Sequence, residues 1–160
     1  MKIKSFMMMT MAAVSLVFGV SSCGSDDDDV PEAPVAAQVA GSYTGTEILT
    51  VMGEPDENTE TFEFTKASDV SVDVTLPEYG EGMMTIPALP VKGIMLTKSG
   101  STINGKLDKY EGTTEAGKAY TVSDIVVLFS DKTVVMTFKM KYGNMPFDFD
   151  GQFTGNRSVK

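Results

Sequence analysis

The sequence predicts an all-β domain, an eight-stranded antiparallel up-and-down barrel behind a leader and a tether. Three observations carry that expectation. From Gly41 onward apolar residues recur at every second position, the spacing of strands with one buried face. Clusters of Gly, Pro, Asn and Asp punctuate these runs at short intervals. No stretch repeats apolar residues at the three- and four-residue spacing of a long amphipathic helix. Sheets with one wet and one apolar face must stack or close, and eight sequential strands favour closure.

The alternation is clearest in four runs. Phe62 and Phe64 alternate with Thr61, Glu63 and Thr65, and Val70, Val72, Val74 and Leu76 with Ser71, Asp73 and Thr75. Val134, Met136, Phe138, Met140 and Tyr142 form a third series, and Met145, Phe147, Phe149, Gly151 and Phe153 a fourth. The strands are expected near 42–52, 60–66, 70–76, 91–98, 101–108, 119–129, 133–142 and 145–154. The run Gly53 to Asn58 reads as the first turn, Ser99-Gly100 or Asn104-Gly105 as a tight hairpin, and 130–132 and 142–144 as the last two turns. Stretches 77–90 and 109–118 read as loops.

Residues 1–22 have the parts of a secretory signal. Lys2 and Lys4 precede an apolar run from Phe6 to Val20 that carries no charge and is too short to span a bilayer. Residues 23–38 hold the run Asp26, Asp27, Asp28, Asp29 and then two prolines, so they read as an extended, disordered tether. The barrel domain is assigned to residues 39–160.

Composition excludes several kinds of chemistry. The chain has 13 basic and 22 acidic residues, and loss of Lys2 and Lys4 with the signal leaves 11 of those basic residues. Such a surface repels phosphate backbones, so nucleic-acid binding is not expected. There is no His, no Trp and one Cys. Nucleophile systems that use His, His-based zinc sites and internal disulfides are therefore ruled out. No Gly-rich phosphate loop precedes a helix, and no cofactor is implied.

The segment Val20-Ser21-Ser22-Cys23 resembles the lipobox of bacterial lipoproteins. That resemblance implies cleavage before Cys23 and its acylation, hence membrane attachment through the lipid. The acidic run Asp26 to Asp29 reads either as a solvated spacer or, by resemblance to Bacteroidota lipoproteins, as a signal for display on the outer face of the outer membrane. Val39-Ala40-Gly41-Ser42-Tyr43-Thr44-Gly45-Thr46, following such a leader, resembles the opening strand of the calycin-like (lipocalin-like) β-barrel lipoproteins of Bacteroidota. The resemblance covers residues 39–155 and implies the barrel fold and the address, but no established activity. A lipocalin proper places Trp two residues after the first Gly and a basic residue late in the barrel; here Tyr43 stands in the first of these places.

Few residues point to a site. Asp148 and Asp150 lie two apart on one strand, roughly 6.5–7 Å apart, a spacing that suits paired carboxylates. Their neighbours Phe147, Phe149 and Phe153 claim the buried face, which leaves both acids in water. Asp56, Glu57, Asn58 and Glu60 lack the ligand spacing of a calcium loop and read as a solvated turn. Met83, Met84 and Ile86 sit in loop 77–90 beside Gly80 and Gly82, where they would form an adaptable rim for a small, partly apolar ligand. The expected role is therefore binding without catalysis. One reading is a hollow barrel that takes such a ligand; the other is a solid barrel that contacts a surface protein or glycan.

Replacing Cys23 by Ala should leave the protein unanchored. Detergent partitioning checks this: wild type should enter the detergent phase and Cys23→Ala remain aqueous, whereas identical behaviour would remove the lipoprotein reading.

Overall fold

The computed structural model describes residues 31–159. The signal segment 1–22, Cys23 and Asp26 to Asp29 lie outside the described residues. One compact unit runs from Ala33 to Lys160. It contains a short helix and eight strands: α1 (Val35–Val39), β1 (Gly41–Val51), β2 (Glu54–Lys66), β3 (Ser71–Leu76), β4 (Leu89–Ser99), β5 (Thr102–Thr113), β6 (Ala119–Ser130), β7 (Thr133–Tyr142) and β8 (Phe149–Arg157). Each strand pairs antiparallel with the next, and β8 returns to β1, so the sheet closes as an up-and-down barrel.

The apolar face of every strand points inward. Tyr43, Phe62, Phe64, Val72, Ile94, Val127, Met136 and Phe153 are all buried in one continuous core. Outward positions on β7 and β8 carry Thr137, Lys139, Lys141, Asp150, Gln152 and Thr154. This polarity is the reverse of a membrane-spanning barrel, which turns its apolar band outward. Burial of the inward side chains is the dominant favourable contribution to closing the ring.

Large rings fit because neighbouring strands present bare backbone. A Cβ on Gly151 would lie 2.2 Å from Phe138 Cζ, and one on Gly112 would lie 2.3 Å from Tyr120 Cζ. Both pairs are direct cross-strand partners. Phe62 stacks on Phe153 at 4.2 Å between ring centroids, and Tyr43 packs edge-on against Phe64 at 5.6 Å. On β6 a register shift between Ser123 and Val126, with Asp124 at φ 52°, keeps both Val122 and Ile125 inside.

Four boundaries differ from expectation for identifiable reasons. The first turn is only Met52-Gly53, both at positive φ, so Glu54 to Asn58 belong to β2 rather than to a loop. Pro55 is tolerated there because the β3 side of this segment is unpaired: β2 meets β3 only from Glu63. β5 extends to Thr113, leaving a loop of 114–118. β8 begins at Phe149 and not 145, Pro146 having no N–H to give a ladder. Residues 35–38, expected in the tether, form most of α1, with Ala36 wholly buried and its N–H bonded to Asp69 O at 3.1 Å.

The inward side of β8 should therefore dominate stability. Phe153→Ala should cost roughly 3–5 kcal/mol, whereas Asp150→Ala should stay within about 0.5 kcal/mol of wild type. Denaturant melts check the order, and its reversal would mean a flipped register for β8.

Candidate functional site

The two ends of the barrel are built differently. At the end where the chain enters, α1 lies beside the β2–β3 turn. Tyr43 Oη donates to Val39 O at 2.9 Å, and Arg157 Nη1 donates to Gln38 O at 2.9 Å. Arg157 Nη2 also bonds Ala40 O, and its guanidinium stands 6.0 Å from the Tyr43 ring centroid. A buried aromatic and a late basic residue thus clamp the helix over this end. Arg157 lies beyond the expected end of the last strand at 154.

The opposite end carries the β1–β2 turn and the loops 77–88, 114–118 and 143–148. Here the chain 77–88 is more than a mobile rim. Tyr79 and Ile86 exchange backbone hydrogen bonds of 2.9 and 2.7 Å, closing a small hairpin whose tip is a single 3₁₀ turn, Gly82–Met84. Gly80 and Gly82 both take positive φ, and a Cβ on Gly80 would meet Met84 O at 2.4 Å.

Under this hairpin lies a cup of about 220 Å³ lined by Leu49, Val51, Asp56, Tyr79, Gly80, Met84, Ile86, Met145, Phe147 and Phe149. The sequence-derived trio is split by it. Ile86 is buried and Met84 is 66% exposed, and both line the cup, while Met83 is fully exposed and points away. Met145 and Phe147, expected on an inward strand face, instead wrap the cup from the β7–β8 loop. Larger hollows lie beside Gly117, Lys118 and Asn144, and beside Pro87, Glu115 and Tyr120. Neither has a buried charge behind it.

The cup does. Glu47, one pleat deeper than Leu49 on the inward face of β1, is only 2% exposed. Tyr79, whose ring lines the cup, donates its hydroxyl to Glu47 Oε1 at 2.7 Å. No other donor or cation among the described residues reaches this carboxyl. Burial pushes its pKa from 4.5 to about 7, with the Tyr79 hydrogen bond pulling down and the charge of Glu60 adding to the rise. The Tyr79 hydroxyl is itself raised well above the usual tyrosine range by burial and by Glu47.

Asp56 and Glu60 explain the acidic surroundings. Leu49 pairs with Asp56, Glu47 with Asn58, and Gly45 with Glu60, so β2 turns Asp56, Asn58 and Glu60 to the same side as Glu47. Asn58 Nδ2 donates to Asp56 Oδ2 at 3.0 Å. Asp150, by contrast, faces outward as expected, and Asp148 precedes β8 and is exposed. No group of three or more Cys, Asp or Glu side chains converges as a metal site among the described residues. Glu47 was missed because the alternation is weak around it, with Thr44, Gly45 and Thr46 before it and Thr50 shortly after.

No family model and no curated protein matches the chain. Among solved structures the fold is similar to a Bacteroides fragilis protein provisionally described as an outer membrane protein, at 19% identity and a TM-score of 0.63. That alignment covers 78% of this chain and 53% of the other, so this chain spans about half its length. A redesigned β-barrel aligns at 11% identity with a TM-score of 0.44, covering 80% of this chain and 98% of that one.

The Glu47 carboxyl gives the fold a pH signature. Its folded pKa lies above its unfolded value, so the native state binds more protons between about pH 4.5 and about 7, and stability falls as pH rises through that window. Glu47→Gln should remove this slope and leave the variant more stable than wild type above pH 7, by something on the order of 2–3 kcal/mol. Chemical melts of both proteins across that range check it; parallel curves would mean an ordinary solvated carboxylate.

Proposed function

We propose that this chain is a lipid-anchored outer-membrane protein of the calycin-like kind, displayed on the outer face, whose barrel mouth holds a small, partly apolar ligand without transforming it. The observation that carries the binding role is the cup, where seven apolar side chains and Gly80 meet only two polar ones, Asp56 and Tyr79. Ligand sites combine apolar walls with a few placed polar groups in this way. At about 220 Å³ the cup is smaller than the roughly 300–1,000 Å³ of drug-sized sites, so it suits a short chain or a single ring.

The address draws on other support. The Cys23 lipobox and Asp26 to Asp29 are the motifs of an anchored, surface-directed lipoprotein, and the fold likeness to the Bacteroides fragilis protein is consistent with them. The calycin-like reading gains from Arg157 beside Tyr43, a late basic residue where a lipocalin would have one, with Tyr in place of Trp. Catalysis has little to work with: the buried carboxyl of Glu47 has a tyrosine, Tyr79, as its described hydrogen-bond partner.

A second reading, a solid barrel serving as an accessory to a surface protein or glycan, is favoured by the filled interior below the cup. It is also favoured by the exposed neighbours Val126, Leu128 and Val135 on the outer wall of β6 and β7.

Titration of residues 24–160, which contain the whole self-packed unit, with an environment-sensitive apolar dye separates the two. Binding should be weakened about tenfold or more by Met84→Ser or Phe147→Ser and left unchanged by Met83→Ser, a loss of about 1.4 kcal/mol. No binding, or equal effects of all three substitutions, would favour the accessory barrel.

A further inference from the structure

The cup is apolar on most sides and acidic on one, and no base balances that side. Asp56 is among its lining residues, and Glu60 follows on the same face of β2. Glu47 stands behind Tyr79 with that hydroxyl as its one described hydrogen-bond donor. None of the lining residues is Lys or Arg, and no ion pair among the described residues engages Asp56, Glu60 or Glu47.

The surroundings sharpen the asymmetry. On β5 and between β6 and β7, acids sit beside bases: Lys106 by Asp108, Lys109 by Glu111, Lys139 by Asp124. On this stretch of β2 the β3 side is unpaired and Glu54, Asp56, Glu57 and Glu60 fall within seven residues that include no base. Uncompensated carboxylates close to a low-dielectric wall attract a cation more strongly than the same charges in open water.

Building on the cup reading, we propose that its ligand is an amphipathic amine, with the apolar body against Leu49, Ile86 and Phe149 and the ammonium group toward Asp56, while Glu60, farther along the same face of β2, adds to the negative potential. An anionic amphiphile such as a fatty acid meets like charge at that wall and is rejected. A neutral one gains only the apolar contact.

Three ligands with one body and different heads test this: octylamine, octanol and octanoate, titrated calorimetrically into residues 24–160 at low salt and about pH 8, where the amine is charged. The order expected is octylamine tightest, about tenfold over octanol, with octanoate weakest. Asp56→Asn with Glu60→Gln should bring octylamine to the octanol level. Raising the salt should narrow the gap between the amine and the alcohol. Equal affinities for octylamine and octanol, or an amine preference that survives the double substitution, overturn the charge selection and leave the cup standing. Tightest binding by octanoate overturns it as well. Failure of all three to bind overturns the cup reading itself.

Discussion

Everything in this barrel follows from fitting large rings into a ring of eight strands. Eight strands enclose a space that side chains can just fill. Phe138 lies over the bare backbone of Gly151, and Tyr120 over Gly112, each from the adjacent strand. An alanine at either glycine would place a carbon well inside contact distance of the ring. The glycines and rings therefore fix one another, and through them the register of β5 with β6 and of β7 with β8. The filled centre that results leaves no space for a ligand at the level of Phe62 and Phe153.

That constraint pushes any accessible apolar space to an end, and the two ends are not equivalent. One is sealed by α1, held by Tyr43 and Arg157. At the other, β3 stops at Leu76 while β2 runs on toward the Met52-Gly53 turn, and the hairpin 79–86 folds over the gap. Tyr79 ties this hairpin to Glu47 in the wall. The cup, the buried carboxyl and the unpaired acidic edge of β2 are thus consequences of one irregularity, a strand pair that separates early.

The strands themselves were legible because period-two alternation is a local signal, and β3, β6 and β7 fall within a residue or two of expectation. What depended on distant partners was not. Gly53 to Asn58 has the composition of a loop, and only pairing with Thr50 to Ile48 makes Pro55 to Glu57 a strand. Val35 to Gln38 looks like tether until β2 and β3 offer a surface for Ala36. Ile86 and Met84 both line the cup, because loop residues that alternate with nothing must find their own cover. Met83, two atoms of backbone away from the same argument, turns outward because the 3₁₀ turn rotates successive side chains apart. The Glu47–Tyr79 bond joins residues 32 apart, and nothing in either neighbourhood announces it.

The central claim is that apolar binding space exists at the mouth and nowhere deeper. Xenon enters dry apolar cavities and scatters strongly, so a crystal of residues 24–160 under xenon pressure tests that claim most directly. The account predicts xenon among Leu49, Ile86 and Phe149, in contact with Met84 and Phe147. Xenon between Phe62 and Phe153, or none in the cup while it occupies the outer wall beside Leu128 and Val135, would contradict it.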